Sequence, residues 1–312
     1  MPDVSVIIAT CNPERRILNW VVDSLRLQTL DPERFEVIIV DNNSLPPLAL
    51  SDFEACGLSG LRLVRESRPG TTFARIAGIL AAGSPLLVFA DDDNRLDADY
   101  LEEALRIAAA YPELGAFGGI ARCFSENPIP AWKQKLLPYL GVRDYGEKVI
   151  TSNRDIWGEW EPIGAGMVFR RDVGLRFVET VRASRAAQRL GRHSGSFICG
   201  EDSLLARSAY PLGYSCSYQP SLRLTHFIRR SRLSFRSLAR TLEGTARAYV
   251  IYEFVLGRPT PSLTWLDTLH ALVTQAWRRL RARGLRAGLV EWFWDIGYLR
   301  EARLSAKRHV ED

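Results

Sequence analysis

Three consecutive aspartates, Asp91, Asp92 and Asp93, directly follow the apolar run Leu86–Ala90. Such a run is typical of a strand that is buried on both faces of a parallel sheet. Because successive side chains of a strand alternate between its faces, we expect Asp91 and Asp93 to project from one face, about 7 Å apart. Unpaired buried carboxylates are costly, so these side chains need cations or an open position. They predict a site for Mg²⁺ or Mn²⁺ beside a phosphate; the alternative is a solvated acidic turn that caps the next helix.

Asp41 ends a second apolar run, Glu36–Val40. In an open parallel sheet, ligands bind in the crevice beyond the carboxyl ends of the strands. We therefore expect Asp41, Asp91 and Asp93 to converge on one crevice.

Glu201 and Asp202 follow Gly200 at the start of a predicted helix. Acidic residues in a first turn interact favourably with the helix dipole, so a structural role is one interpretation. A carboxylate that faces a cleft can also serve as a general base. His226, at the end of a predicted strand, has a similar pair of interpretations, a structural histidine or a metal ligand. A lone histidine is more often structural, and the metal-ligand interpretation gains weight only from the acidic site elsewhere in the chain.

Two common nucleotide-binding motifs are missing from the sequence. Gly164-Ala165-Gly166 has Phe169 where the third glycine of a dinucleotide fingerprint would stand, which argues against a dehydrogenase. No Walker-type phosphate loop is present either, and this disfavours a P-loop NTPase.

Strands and helices alternate over the first 120 residues, which predicts an α/β fold with a mostly parallel sheet. Asn12, followed by Pro13, is expected to cap the first helix. Gly164–Phe169 is expected to be a later strand and Glu201–Tyr210 a later helix. The remaining predicted elements are strands Val4–Thr10 and Leu61–Val64, helices Thr71–Ala82 and Asp97–Ala110, and strands Ser215–Tyr218 and Leu222–Thr225. Between residues 122 and 161 the pattern is lost, as in a binding loop or lid.

The composition is that of a soluble globular protein, with 312 residues, 46% hydrophobic and 25% charged. It excludes intrinsic disorder, and no apolar run approaches the ~20 residues of a membrane span. The N-terminal sequence lacks the features of a signal peptide. Five cysteines without a C-x-x-C pair favour a reducing, cytoplasmic location over a disulfide framework or a zinc site.

The net charge of +5 is unevenly distributed. From Arg223 onward the chain carries 17 basic and 8 acidic residues, whereas residues 1–222 have a net charge of −4. This asymmetry predicts an anionic partner for the C-terminal part.

After Leu233 the apolar period is helical, and two apolar stripes stand out. One comprises Leu266, Leu269, Val273, Trp277 and Leu280, flanked by arginines; the other comprises Leu289, Trp292, Phe293, Ile296 and Leu299. Basic amphipathic helices with tryptophan and leucine can lie in a membrane interface. The alternative is that both stripes pack within the protein.

In their order and spacing across roughly residues 3–255, these segments resemble the family 2 glycosyltransferases. The matching segments are VSVIIAT, VDNNS, RPGTTFARIAGILAAGSPLLVFADDD with its terminal DxD, IGAGMVFRRD, GEDSLLARSAYPLGY and LTHFIRR. The resemblance implies a GT-A fold: a Rossmann-like, mostly parallel sheet flanked by helices. It further implies a catalytic domain over residues 1–228 and a basic helical extension over 229–312.

The resemblance also implies roles for individual residues. Asp202 matches the catalytic base, with Glu201 beside it. Asp93 matches the ligand of a divalent Mn²⁺ or Mg²⁺, and His226 a further ligand found in some relatives. The residues implied to bind the nucleotide sugar are Thr10, Asp41, Arg75, Asp91, Asp92, Gly164 and Gly166. Those implied to close over the diphosphate are Arg229, Arg230 and Arg232, for which the alternative is a solvated basic loop.

The function implied is metal-assisted transfer of a single sugar, with inversion, from a nucleotide sugar, in particular a UDP-sugar. The acceptor would be a hydroxyl of a glycan, a lipid-linked molecule or a small molecule, as in cell-surface polysaccharide biosynthesis. Trp132, Trp157 and Trp160 could stack on a sugar ring or simply pack the loop. No nucleic acid partner is expected, and the implied location is cytoplasmic, with peripheral contact to the inner membrane face through the C-terminal helices.

Two departures from the family pattern stand out. The second strand ends in DNNS, where many members have D-D-G/A-S, and no Q-x-x-R-W motif follows Asp202. The second departure favours single transfers over polymerisation. Two alternative functions stay open: a GT-A module that binds nucleotide or glycan without turnover, and a metal-dependent phosphoesterase.

Overall fold

The computed structural model describes residues 1–58, 60–193, 195–259 and 263–308. The chain divides into two compact units. The first unit comprises Met1–Phe124, Gly141–Glu179 and Asp202–Phe227; the second comprises Ser125–Leu140, Thr180–Glu201 and Ile228–Asp312. The domain boundary expected at residue 228 stays a prediction, and residues 260–262 and 309–312 of the expected extension lie outside the described part.

The strands all lie in the first unit and form one mixed sheet. They are β1 (Val4–Thr10), β2 (Phe35–Asp41), β3 (Leu61–Arg65), β4 (Leu86–Phe89), β5 (Asn94–Leu96), β6 (Leu114–Phe124), β7 (Ile150–Ser152), β8 (Val168–Arg170) and β9 (Ser215–Phe227). Their order is β3-β2-β1-β4-β8-β6-β9-β5, and β7 also pairs with β9. Strands β1 to β4 are parallel to their neighbours among themselves, as are β6 and β9, whereas β5, β7 and β8 pair antiparallel. By paired residues the sheet is mostly parallel, which confirms the expected α/β fold.

The parallel half of the sheet is buried between helices. Strands β1, β2 and β4 are apolar on both faces and almost fully buried, as expected of parallel strands covered by helices. Helix α1 (Arg15–Arg26) buries one apolar stripe, which includes Ile17, Val21 and Leu25. Helix α2 (Thr71–Ala81) contains Gly78, where a Cβ atom would lie 2.3 Å from Ile7 Cγ2 on β1, so this glycine permits close helix–sheet packing. Because strands β1 to β4 are parallel, their carboxyl ends lie at the same edge of the sheet.

The remaining helices are shorter in the first part of the chain and longer in the second. They are α3 (Tyr100–Ala110), α4 (Ala131–Gln134), α5 (Arg171–Ala183), α6 (Glu201–Arg207), α7 (Phe235–Val255), α8 (Trp265–Arg283) and α9 (Leu285–Arg308). Among the described residues no helix is long and apolar enough to cross a membrane.

Several local expectations were wrong. Asn12 does not cap α1: it has a φ of 51°, and its side-chain oxygen accepts a hydrogen bond from Leu45 N at 2.8 Å, which ties it to the loop after β2. Strand β4 ends at Phe89, and the aspartates lie in a turn closed by Asn94 N donating to Asp91 O at 3.0 Å. Asp91 and Asp93 are therefore not alternate residues of one strand. Gly164 begins a turn before β8 rather than a strand.

In the second unit the two predicted apolar stripes have different surroundings. On α9, Leu299 is buried and the other members of its stripe are half-buried. Helix α9 approaches α7 closely at Gly297, where a Cβ atom would lie 2.3 Å from Glu243 O. On α8, Leu266, Leu269, Val273 and Trp277 are between 51% and 64% exposed. The α9 stripe is a packing surface, whereas the α8 stripe faces solvent.

Candidate active site

The carboxyl ends of β1 and β2 bring Thr10 and Asp41 together. The two residues are partners in the parallel register. Thr10 donates a hydrogen bond from its hydroxyl to Asp92 in the turn after β4. Asp41 is buried, and its two carboxylate oxygens accept hydrogen bonds from Ser44 N and Leu48 N, both at 3.0 Å. Asp41 therefore shapes the loop that follows β2.

Asn42, which the sequence reasoning did not single out, stabilises the segment next to the carboxyl end of β2. Its side-chain amide donates to Glu66 O at 2.8 Å and Arg68 O at 2.7 Å, and its oxygen accepts from Gly70 N at 2.8 Å. Asn42 thus holds the segment that leads into α2. The only sequence signal was its place in DNNS, where the family pattern usually has an acid.

Arg75, on α2, pairs with Asp91. Its Nη2 lies 2.9 Å from Asp91 Oδ1, and its guanidinium stacks on the Phe89 ring, 4.7 Å from the centroid. Gly164 packs directly against this guanidinium, because a Cβ at that position would lie 2.4 Å from Arg75 Nη2. The structure therefore places Arg75, Asp91 and Gly164 in one cluster.

Asp93 and His226 meet where β5 pairs with the end of β9. Asn94 and His226 are register partners, and Phe227 N donates to Asp93 O at 2.8 Å. His226 Nε2 lies 3.2 Å from Asp93 Oδ1, and both side chains are largely buried. His226 Nδ1 lies 3.4 Å from Gly141 O.

The Asp93–His226 pair fits a divalent cation as a partial ligand set. Within the described residues His226 Nε2 is buried and makes no hydrogen bond of ordinary geometry, although it faces a carboxylate oxygen. Two neighbouring ligands of an octahedral ion, each 2.0–2.1 Å from the metal, lie roughly 3 Å apart, close to this separation. No group of three or more His, Cys, Asp or Glu gathers among the described residues. The other ligands would therefore be phosphate oxygens and water, which Mg²⁺ commonly keeps.

Asp202 lies at the start of α6 and contacts the Gly164 turn. Its Oδ2 accepts a hydrogen bond from Gly164 N at 2.9 Å, and its Oδ1 accepts from Ser203 N at 2.9 Å. Each carboxylate oxygen keeps further acceptor capacity, so the half-buried group can accept another hydrogen bond. Because Gly164 touches both Arg75 and Asp202, one turn connects the Asp91 cluster with the candidate base.

Gly166 closes the same turn. It has a φ of 71°, a conformation that favours glycine, and a Cβ there would lie 2.4 Å from Leu224 Cδ2. The Tyr100 hydroxyl donates to Gly166 O, and burial raises the pKa of Tyr100 well above its ordinary value, so this donor stays protonated.

A buried ion pair, which sequence reasoning missed, lies behind the Gly164 turn. Arg207, the last residue of α6, is fully buried, and its Nε donates to Glu161 Oε2 at 2.9 Å. Burial raises the pKa of Glu161 to about 7, although the Arg207 charge opposes this effect. Arg143 donates from Nη1 to Glu161 O at 2.6 Å, and burial lowers the pKa of Arg143. Buried polar residues such as these do not recur at a helical or strand spacing, so no sequence pattern revealed them.

The other predicted site residues belong to the second unit. Glu201 is buried and directly precedes Asp202 in the chain. Arg229 and Arg232 are half-buried and Arg230 is exposed, around a short 3₁₀ turn at Arg230–Leu233. Their roles stay predictions.

The sequence matches a known family over more than half of its length. Residues 5–174 match the model of the family described as Glycosyl transferase family 2. The chain belongs to this family. The family assignment expected from the motifs is thereby confirmed, and family 2 members in general use nucleotide-sugar donors and glycan acceptors.

Among characterised proteins, this family 2 chain is similar to EpsH of Bacillus subtilis (strain 168), which is provisionally named a glycosyltransferase. The two are 31% identical over 114 residues, which are 36% of this chain and 32% of EpsH. The match thus spans about a third of the length of that curated relative. Among solved structures, S. aureus TarS (residues 1–349) aligns with 99% of this chain and 92% of its own, with a TM-score of 0.48 and 11% identity.

Proposed function

We propose that this family 2 protein transfers a single sugar from a nucleoside-diphosphate sugar, in particular a UDP-sugar, to an acceptor hydroxyl. The observation that carries the proposal is the Gly164 turn, which contacts both the Arg75–Asp91 pair and Asp202. One short segment therefore contacts both the donor-binding residues and the candidate base. Direct displacement requires the donor and the base to lie close together in this way.

In the proposed reaction Asp202 accepts the proton of the acceptor hydroxyl as its oxygen attacks the anomeric carbon. The new carbon–oxygen bond forms while the bond to the diphosphate breaks, and the electron pair leaves with the diphosphate oxygen. The attack from the opposite side of the sugar ring inverts the anomeric configuration. Gly164 N holds one oxygen of Asp202, which orients the carboxylate during the transfer.

Asp93 and His226 are the residues that would hold Mn²⁺ or Mg²⁺. When bound, the cation would stabilise the negative charge that develops on the leaving diphosphate. We place Thr10, Asp41, Asp91, Asp92 and Gly166 on the nucleotide-sugar side, with Arg75 orienting Asp91.

The test is release of nucleoside diphosphate from a panel of sugar nucleotides by the full-length protein, with and without Mn²⁺. The proposal expects release from at least one sugar nucleotide, dependent on the metal and stimulated by acceptor glycosides. Binding of a nucleotide sugar without any release would support the alternative of a non-catalytic module. Liberation of inorganic phosphate from phosphoesters would support the phosphoesterase instead.

We further propose that the exposed α8 stripe brings the protein to an anionic membrane surface, where a lipid-linked acceptor for cell-surface polysaccharide would be available. Large exposed apolar patches mark interaction surfaces. The stripe lies beside the exposed cations Arg278 and Arg281, and Arg281 stacks on Trp277 at 5.1 Å. Apolar contact with acyl chains and arginine contact with anionic headgroups would act together.

Vesicle flotation of the full-length protein tests this contact. Vesicles of phosphatidylglycerol and phosphatidylcholine should float the wild type, vesicles of phosphatidylcholine alone should not, and Leu269→Ser should weaken flotation about tenfold. Leu50→Ser is the matched control, since Leu50 is 53% exposed and Leu269 51%. Equal flotation of both variants, or loss of a dimer instead of loss of lipid binding in Leu269→Ser, would overturn the proposal.

A further inference from the structure

The three tryptophans of the irregular segment have different environments. Trp160 is half-buried: its Nε1 donates to the Tyr210 hydroxyl at 3.2 Å, and its ring packs on Gly158. Trp132, in the second unit, is half-buried with Lys133 over its ring. Trp157, by contrast, is 65% exposed, and the neighbouring Ile156 is 51% exposed. Only Trp157 of the three presents a large open aromatic face.

The loop that carries Trp157 is held at both ends by one buried side chain. Arg207 donates from Nη1 to Asp155 Oδ1 at 3.2 Å and from Nε to Glu161 Oε2 at 2.9 Å. Arg143 additionally holds the Glu161 carbonyl. These contacts fix the loop Asp155–Glu161 at its base and leave its tip, with Ile156 and Trp157, in solvent. A rigid base reduces the entropy that a ligand must overcome in ordering the loop.

The same contacts set the distance between this loop and Asp202. Arg207 and Asp202 are five residues apart on α6, about 7–8 Å along the helix axis. At the other end, Gly164, three residues after Glu161, donates to Asp202 Oδ2. The loop and the candidate base are thus connected on both sides through short, hydrogen-bonded paths.

An exposed tryptophan at this place has a specific chemical use. Its ring offers a large, rigid, apolar face with few conformational degrees of freedom. The C–H face of a pyranose ring is flat and weakly apolar, so it matches such a surface. Arg154 and Glu159, close to Trp157 in the sequence, are exposed, and their polar side chains can bind hydroxyl groups.

We propose that the loop Asp155–Glu161 is an acceptor subsite, in which Trp157 stacks on a pyranose ring of a glycan acceptor. The inference rests on the proposed sugar transfer and narrows it, because the acceptor is then itself a sugar. Trp157 determines acceptor specificity, and Arg207 is a positioning residue for the loop.

Titration with methyl glycosides tests the subsite without requiring turnover. A set of methyl α- and β-pyranosides of common hexoses and N-acetylhexosamines is added to the full-length protein, and binding is followed by saturation-transfer NMR. The wild type and Trp157→Phe should bind at least one glycoside, and Trp157→Ala should bind it at least about tenfold more weakly. Tyr111→Ala, which removes an exposed ring elsewhere in the first unit, is the control and should bind as the wild type does.

Steady-state kinetics separates the subsite from the proposed function. Trp157→Ala should raise the KM for the acceptor glycoside about tenfold or more, whereas Tyr111→Ala should leave this KM at the wild-type value. If Trp157→Ala binds and uses glycosides as Tyr111→Ala does, or if no glycoside binds in a Trp157-dependent way, the subsite is wrong. Failure of the wild type to release any nucleoside diphosphate would contradict the sugar transfer itself, while the NMR titration still decides on the subsite.

Discussion

Two edges of the candidate active site hold their charged groups in different ways. The donor edge (Arg75, Asp91, Asp93 and His226) contains the Arg75–Asp91 pair, in which Asp91 is a third exposed, and the largely buried Asp93–His226 pair. The acceptor edge (Asp202, Gly164, Glu161 and Arg207) depends on a pair in which both side chains are almost fully buried. The comparison teaches that a charge in contact with solvent, as at Asp91, can be lost at little cost to folding, whereas the charge of Arg207 cannot.

The largest expected effect is at the buried pair. At pH 8, above the pKa of Glu161, Arg207→Met should lower the free energy of unfolding by about 3–5 kcal/mol, because the ionised Glu161 would stay buried without its partner. Urea denaturation measures this change. Arg106→Met is the control: Arg106 pairs with Glu103 at an exposed position, and this change should cost at most about 0.5 kcal/mol. Equal losses in the two variants would show that burial does not make the Glu161–Arg207 pair more important for folding than an exposed pair.

A second effect depends on pH. The pKa of Glu161 is raised from 4.5 to about 7 in the folded protein, so the folded state binds a proton that the unfolded state releases. As the pH rises from about 4.5 to about 7, stability should therefore fall at this site, by about 1.4 kcal/mol per unit of pKa difference.

Glu161→Gln cannot titrate and serves as the reference for this pH effect. Relative to Glu161→Gln, the wild type should lose stability over this window and no further above it. If the free energies of unfolding of the two proteins change in parallel from pH 4.5 to 8, the pKa of the Glu161 carboxyl group is not raised by folding.

The smallest effect on folding is expected at the donor edge. Asp93→Asn retains the hydrogen-bonding capacity beside Asn94 and should change the free energy of unfolding by no more than about 1 kcal/mol. The same variant should lose metal-dependent donor binding. A loss of stability as large as that of Arg207→Met would mean that the Asp93–His226 pair supports folding as strongly as the Glu161–Arg207 pair does.

The apolar runs predicted the parallel strands well, because burial on both faces leaves a continuous pattern. The same rule extended β4 too far, since the aspartates turn away once Asn94 N bonds back to Asp91. The ends of strands and caps depend on such local hydrogen bonds, and Asn12 shows the same for α1. The Glu161–Arg207 pair has no sequence period and could not be predicted.

The C-terminal stripes mark another limit of sequence reasoning. Both have helical spacing, so periodicity alone could not show that α9 packs on α7 while α8 exposes its stripe. Gly297 allows α7 and α9 to approach closely. This role distinguishes the packed stripe from the exposed one only when the structure shows which helix α9 packs against.

Donor binding and sugar transfer, measured side by side on Asp93→Asn and Asp202→Asn, test the central claim most directly. The sugar nucleotide that the wild type turns over is titrated calorimetrically with Mn²⁺, and nucleoside diphosphate release is followed in the presence of acceptor. Asp202→Asn should bind the donor as the wild type does and lose about 10²–10⁴-fold in rate, the contribution of a general base. Asp93→Asn should fail to bind the donor. If Asp202→Asn retains most of the wild-type rate, the assignment of the base, and with it the account of the site, is contradicted.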